Sequence, residues 1–334
     1  MPELSVLIPA RNEEWLARTV ADVLEHSEQD TEVIAIIDGE AAGDRPAPHA
    51  RLQLVELRES IGQRAGTNLA AEMSRAKYVM KLDAHCSLEQ GFDTKILAAL
   101  EGHPDYTLIP AQRNLHVFDW RCLACGERTY MGPRLDKCEK CGGVEHDRVM
   151  VWKPRTGTRT DFWRFDHELH FQYRGDWHGR RVEDGDIADT MSMIGACWAM
   201  ERDRYFRLGG LDNGHGSWGQ MGTEIACKTW LSGGRMVTHR GTWYAHMFRT
   251  RADFSFPYPM QYGAQERARA YSRQLWLNDA WPGQVLPLAW LVNKFKPLPG
   301  WHEPAGAEAL RHIRQSERAF YQTHERLDKR AIYA

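Results

Sequence analysis

The stretch Tyr78 to Leu88, Y-V-M-K-L-D-A-H-C-S-L, constrains this chain more than any other. Tyr78 to Leu82 form a mostly apolar run with the length of a strand buried on both faces. Asp83 and His85 follow at once, separated only by Ala84. A carboxylate and an imidazole at the carboxyl end of a buried strand sit where open α/β sheets bind their ligands. Together they suit a divalent ion such as Mn²⁺ or Mg²⁺ that must also hold phosphate oxygens. Taken alone, the pair is better explained as a helix cap and a surface histidine, because short motifs match by chance. The rest of the chain reverses that preference.

Upstream, Leu4 to Pro9 is an apolar run, followed by Arg11-Asn12-Glu13-Glu14-Trp15. Apolar residues at Trp15, Leu16, Val20, Val23 and Leu24 recur with a helical period. Thr31 to Ile37 predicts a second buried strand ending at Asp38, and Leu52 to Leu57 a third. Ile61 to Arg75 reads as a helix leading into the Asp83 strand. This alternation predicts an α/β fold with a parallel sheet, and it puts Asp38 and Asp83 on one rim. A chain of 334 residues accommodates one large α/β domain or two ordinary ones. Its net charge of −2 argues against a wholly basic nucleic-acid binder. Residues 1 to 30 show neither a long apolar run nor a basic-then-apolar leader, so we expect a soluble, cytoplasmic protein without a membrane anchor.

The segments N-E-E-W-L-A-R-T-V-A-D-V-L (12–24) and K-L-D-A-H-C (81–86), with the Asp38 strand, resemble the catalytic domain of polypeptide N-acetylgalactosaminyltransferases, enzymes related to the family 2 glycosyltransferases. Further matches follow in order: F-D-H-E-L-H-F-Q-Y (165–173), M-I-G-A-C-W-A-M (193–200), Y-F-R-L-G-G-L-D-N-G (205–214), W-G-Q-M-G-T-E (218–224) and Y-A-H-M-F-R (244–249). The resemblance runs from about Leu4 to Trp276 and implies a GT-A fold, a three-layer α/β/α sandwich. It implies a metal-dependent transferase using a UDP-sugar, with Asp83, His85 and His246 as ligands of the catalytic ion. By the same resemblance Asp38 holds the uridine, Arg64 lies near a basic donor contact, and Gly195 and Ala196 lie against the donor sugar. Trp218 and Arg249 close over the diphosphate. Glu224 keeps its place as a general base or a carboxylate orienting the site, whereas Met221 replaces a family glutamate. The family's membrane anchor and C-terminal lectin domain find no counterpart in these residues.

One insertion interrupts the resemblance. Cys122-x₂-Cys125, twelve residues, then Cys138-x₂-Cys141, with Gly126 and Gly142 after the second cysteine of each pair, predicts a four-thiolate structural Zn²⁺ site. Four of seven cysteines paired in this way point to a reducing compartment. Residues 113–159 carry ten Lys and Arg against six Asp and Glu. Trp120, Arg121, Arg128, Tyr130, Arg134, Lys137 and Lys140 around the knuckles resemble modules that grip nucleic-acid backbones and stack bases. We therefore expect a transferase domain over residues 1–115 and 150–280, a zinc ribbon over 116–149, and a C-terminal strap and helix over 281–334. In that last part Trp281 to Trp301 reads as an irregular strap, and Ala305 to Lys329 as a charged helix docking through Leu310, Ile313 and Phe320. The expected acceptor is a hydroxymethylated base in DNA, with a polypeptide Ser or Thr, or a glycan, as the alternative. Outside the enzyme class, the rival is a zinc-ribbon nucleic-acid-binding protein with an inactive transferase domain.

Overall fold

The computed structural model describes residues 1–132, 134–173, 181–249, 258 and 263–323. In chain order the elements begin β1 (Leu4–Ala10), α1 (Leu16–His26), β2 (Thr31–Asp38), β3 (Leu52–Leu57), α2 (Gln63–Met73), β4 (Tyr78–Leu82), β5 (Cys86–Leu88) and α3 (Phe92–Leu100). The long β6 (Tyr106–Cys122), β7 (Arg128–Tyr130) and β8 (His146–Pro154) carry the insertion. Then come β9 (Trp163–Phe165), β10 (Phe171–Tyr173), β11 (Glu183–Asp184), β12 (Ile187–Asp189), β13 (Cys197–Glu201) and α4 (Arg202–Arg207). The chain continues through α5 (Met221–Leu231), β14 (Arg235–His246), α6 (Ala264–Trp276), α7 (Leu288–Lys294) and α8 (Ala307–Thr323).

The main sheet runs β11-β12-β14-β6-β13-β4-β1-β2-β3. The parallel sheet expected from the alternation is found for β4, β1, β2 and β3. Beyond β4 the sheet is mixed, with β13 antiparallel to both β4 and β6. The chain steps outward from β1 to β2 and β3, then crosses back to β4 on the other side of β1. Right-handed crossovers in opposite directions put α1 and α2 on opposite faces. They also open a crevice at the carboxyl ends of β1 and β4, where ligands bind in such sheets. Val6, Leu7, Ile8 and Val33 to Ile36 are completely buried, and all five residues of β4 are buried, Lys81 included.

The insertion grows out of the sheet itself. Residues Tyr106 to Asn114 of β6 pair with β14. The same strand, from Leu115 to Cys122, pairs with β8, beginning at Leu115 opposite Pro154. Its stem has its own apolar core, in which Leu115, Val117, Phe118, Met131 and Trp152 pack with Trp15, Ala245 and Met247 of the main domain. At the other end of the chain, the expected strap contains the short helix α7 and braces the β9–β10 hairpin. Trp301 Nε1 donates to the Phe165 carbonyl at 2.9 Å and Arg164 to the Pro299 carbonyl at 2.7 Å. Helix α8 buries Ile313 and Phe320, as its period predicts; residues 324–329 of the expected helix lie outside the described residues. No described helix is long and apolar enough to cross a membrane.

Candidate active site

The crevice between β1 and β4 gathers side chains from distant parts of the chain. Asp83 and His85 leave β4, and His246 closes β14, which is held beside them by antiparallel pairing with β5. His85 Nε2 lies 3.0 Å from His246 Nε2, and His246 Nε2 lies 3.3 Å from Asp83 Oδ2. One ligand atom from each of the three lies within 4.8 Å of the others. Ligands about 2.1 Å from a common centre and at right angles are about 3.0 Å apart, so these spacings fit one divalent ion. The chemistry fits as well. Burial pushes His246 down to about 4 despite its hydrogen bond to Asp83, so its imidazole is neutral near pH 7 with a lone pair to give. Burial alone would raise the Asp83 carboxyl, but Lys81, the His246 hydrogen bond and the imidazole of His85 hold it well below the usual carboxylate range.

Two residues of this centre escaped the sequence reading. Glu13, in the loop after β1, accepts from His85 Nδ1 at 2.9 Å and also pairs with Arg249. Burial raises the Glu13 carboxyl, yet His85 and Arg249 bring it below its ordinary value, so it stays ionised. A carboxylate on Nδ1 fixes the tautomer that leaves Nε2 free for a metal. The signal was present as Asn12-Glu13-Glu14 directly after the first strand, but the partner lies 72 residues away. Lys81, the other missed residue, is buried inside β4 and bonds both Asp83 Oδ1 and the Gly195 carbonyl. Replacing Glu13 by glutamine is expected to weaken Mn²⁺ binding by about tenfold to a hundredfold. A Mn²⁺ titration followed by electron paramagnetic resonance checks this, and unchanged affinity would remove Glu13 from the centre.

Two adjoining cavities, of about 260 and 290 Å³, meet at Asp83, Gln63, Phe171, Ile194 and Trp218. His246, Arg249 and Ala196 line the second, and Gly195, Lys81 and Met221 the first. Gly195 has φ of +89°, and a Cβ there would lie 3.2 Å from the Gly222 amide, so the loop and the start of α5 meet backbone to backbone. The Ala196 carbonyl accepts from the Asp83 amide at 2.8 Å, tying the same loop to the acidic residue. Trp218 lines both cavities and Arg249 the second.

Three expected site residues are bonded within the fold. Asp38 is fully buried, and its oxygens accept from Ser60 Oγ at 2.8 Å, the Ile61 amide at 2.6 Å and the Gly62 amide at 2.9 Å. These bonds shape the turn into α2, and Asp38 also meets Tyr258, which lines the second cavity. Arg64 donates to the Gly219 carbonyl and pairs with Glu224 at 3.2 Å, both side chains being buried. Glu224 also meets Lys228 at 2.8 Å and accepts from the Asp212 amide at 2.6 Å. It lines neither cavity, and its bonds to Arg64, Lys228 and the Asp212 amide brace the start of α5.

Residues 5–122 match the family model described as Glycosyl transferase family 2. Over these residues the chain is similar to the family 2 glycosyltransferases. The chain is also homologous to polypeptide N-acetylgalactosaminyltransferases. Polypeptide N-acetylgalactosaminyltransferase 12 of Mus musculus is 25% identical over 273 residues, 76% of this chain and 41% of the relative. Polypeptide N-acetylgalactosaminyltransferase 3 of Drosophila melanogaster is 22% identical over 301 residues, 84% of this chain and 40% of the relative. The chain therefore spans about two fifths of the length of these relatives. The crystal structure of GalNAc-T7 with UDP, GalNAc and Mn²⁺ superposes with a TM-score of 0.60 at 16% identity, covering 96% of this chain and 55% of that one. The shared fold is GT-A.

The insertion brings its four cysteines together. Cys122 Sγ lies 3.6 Å from Cys141 Sγ, and Cys125 Sγ lies 3.7 Å from Cys138 Sγ. A disulfide needs about 2.05 Å, whereas four sulfurs about 2.3 Å from one centre are about 3.8 Å apart. The cluster fits a tetrahedral Zn²⁺ site. Each knuckle closes alike, the Gly126 amide donating to the Cys122 carbonyl and the Gly142 amide to the Cys138 carbonyl. Gly126 and Gly142 both have φ of +74°.

Three of the insertion's cations are paired with carboxylates inside it. Arg121 forms a two-pronged pair with Asp147, its partner across the β6–β8 ladder. Lys140 meets Glu127 at 2.8 Å, and Arg128 lies 4.0 Å from Asp119. Trp120 donates to the Gly132 carbonyl, and Arg155 covers the Tyr130 ring. Cations and rings committed in this way are less available to phosphates and bases.

Proposed function

We propose that this chain is a metal-dependent glycosyltransferase that moves a sugar from a UDP-sugar to the Ser or Thr hydroxyl of a polypeptide. The convergence of Asp83, His85 and His246 at the β1–β4 crevice of a GT-A frame carries this reading. These three side chains would hold Mn²⁺ or Mg²⁺, which when bound supplies a Lewis acid that neutralises the diphosphate leaving group. Arg249 brings a second positive charge to the same cavity, and Glu13 holds both Arg249 and His85 in place. Trp218 and Phe171 wall the cavities and limit water around the donor. The four cysteines would hold a structural Zn²⁺ in the ribbon, 116–149, which stands on the domain made of 1–115 and 150–280.

The homologous relatives support a polypeptide acceptor over DNA, and so do the paired charges of the ribbon. The test is release of UDP from a panel of UDP-sugars with Mn²⁺, with Ser/Thr peptides and hydroxymethylated DNA as competing acceptors. Labelled sugar on the peptides is the expected result. Transfer to DNA alone would overturn the acceptor, and absence of Mn²⁺-dependent UDP release with every donor would overturn the activity.

A further inference from the structure

Lys81 has no place in the reaction as described, yet its position is unusual. A lysine is rarely buried within a central strand, and here its side chain is 1% exposed. Two of its three N–H groups go to Asp83 Oδ1 and to the Gly195 carbonyl, the latter at 2.9 Å. That leaves one N–H for the 260 Å³ cavity that Lys81 lines. The oxygens of Asp83 are divided, Oδ2 facing His246 and Oδ1 facing Lys81. An ion held through Oδ2 therefore brings a second cation close to a buried ammonium. Such a pair is tolerated when an anion lies beside both. Among the described residues lining this cavity, Asp83 is the only carboxylate; Arg269 also lines it and pairs with Glu266 at 3.3 Å. A single carboxylate, Asp83, thus serves both the buried ammonium and the ion, which leaves the cavity side of Lys81 suited to a further anionic oxygen.

We infer that Lys81 is a donor-binding residue, holding an anionic oxygen of the donor on the Gly195 side of Asp83. This rests on the reading of the crevice as a UDP-sugar site. The oxygen belongs either to the diphosphate, common to all such donors, or to a carboxylate on the sugar, as in a hexuronic acid. His246 and Arg249 serve the opposite side of Asp83, so Lys81 reads what those two do not reach.

The experiment is calorimetric titration of UDP, UDP-glucose and UDP-glucuronate, with Mn²⁺, into wild type, Lys81→Met and Lys81→Gln. Mn²⁺ affinity without nucleotide is measured alongside by electron paramagnetic resonance. Loss of one charged hydrogen bond predicts binding weaker by about tenfold or more in both variants. Equal loss for all three ligands assigns the diphosphate, and loss confined to UDP-glucuronate assigns the sugar carboxylate. Binding of all three within about twofold of wild type overturns the inference. So does a matching loss of nucleotide-free Mn²⁺ affinity, which would make Lys81 only a support for Asp83. Should Lys81→Met not fold, Lys81→Gln decides alone, since it keeps a polar group of similar length. Wild type that binds none of the three ligands would instead bring down the donor-site reading itself.

Discussion

Replacing Asp83 by asparagine is expected to lower Mn²⁺-dependent UDP release by about a thousandfold or more. The ion is asked to supply several kcal/mol of transition-state stabilisation, and each 1.4 kcal/mol or so is a factor of ten. Asparagine is the cleaner variant because of Lys81. Alanine at 83 would leave that buried ammonium without its counterion, and breaking a buried pair costs about 3–5 kcal/mol. Asp83→Ala should therefore lose both activity and several degrees of thermal stability, whereas Asp83→Asn keeps an acceptor for Lys81 and loses chiefly activity. His246→Ala removes a neutral group and should match the asparagine variant in activity. Near-wild-type turnover in Asp83→Asn or His246→Ala, measured with folded protein, contradicts the metal assignment.

The second large effect is expected at a distance, from the ribbon. Cys138→Ser should release zinc, detected by a colorimetric chelator, and should also lower turnover by about tenfold to a hundredfold. The coupling runs through the stem core, where Phe118, Met131 and Trp152 pack with Trp15 and Met247. Trp15 follows Glu13 by two residues, and Met247 directly follows His246. Arg148 of the stem bonds Glu14 at 3.0 Å and covers the rings of Trp15 and Phe118. A displacement of about 1 Å at a reacting group is enough for such a loss. Trp152→Ala tests the same link without touching the cysteines. It deletes a buried ring and its 2.7 Å bond to Asp22, at a cost of about 3–5 kcal/mol. Zinc loss with unchanged turnover would make the ribbon a separate appendage.

Local pattern carried much of this architecture. The apolar run 78–82 and the Cys-x₂-Cys pairs both work over a few residues, and β3 falls where its pattern puts it, at Leu52–Leu57. What stayed hidden depends on partners far apart in sequence. Lys81 interrupts an apolar run, and only the fold reveals that it is matched by Asp83 and the Gly195 carbonyl. Glu224 stands in the first turn of a helix whose eleven residues are all buried, so no amphipathic period could tell whether it faced the crevice. The charge count of 113–159 does not show which of its cations are paired, because that depends on strand register. Arg121 and Asp147 are opposite one another only once β6 and β8 pair.

The most direct test is a crystal structure of the chain grown with UDP and Mn²⁺, with anomalous scattering collected to locate manganese. We predict one manganese peak bonded to Asp83, His85 and His246, with the diphosphate on the same ion and Glu13 still on His85 Nδ1. UDP seated in the crevice without manganese at these three side chains, or manganese bound elsewhere, would contradict the account.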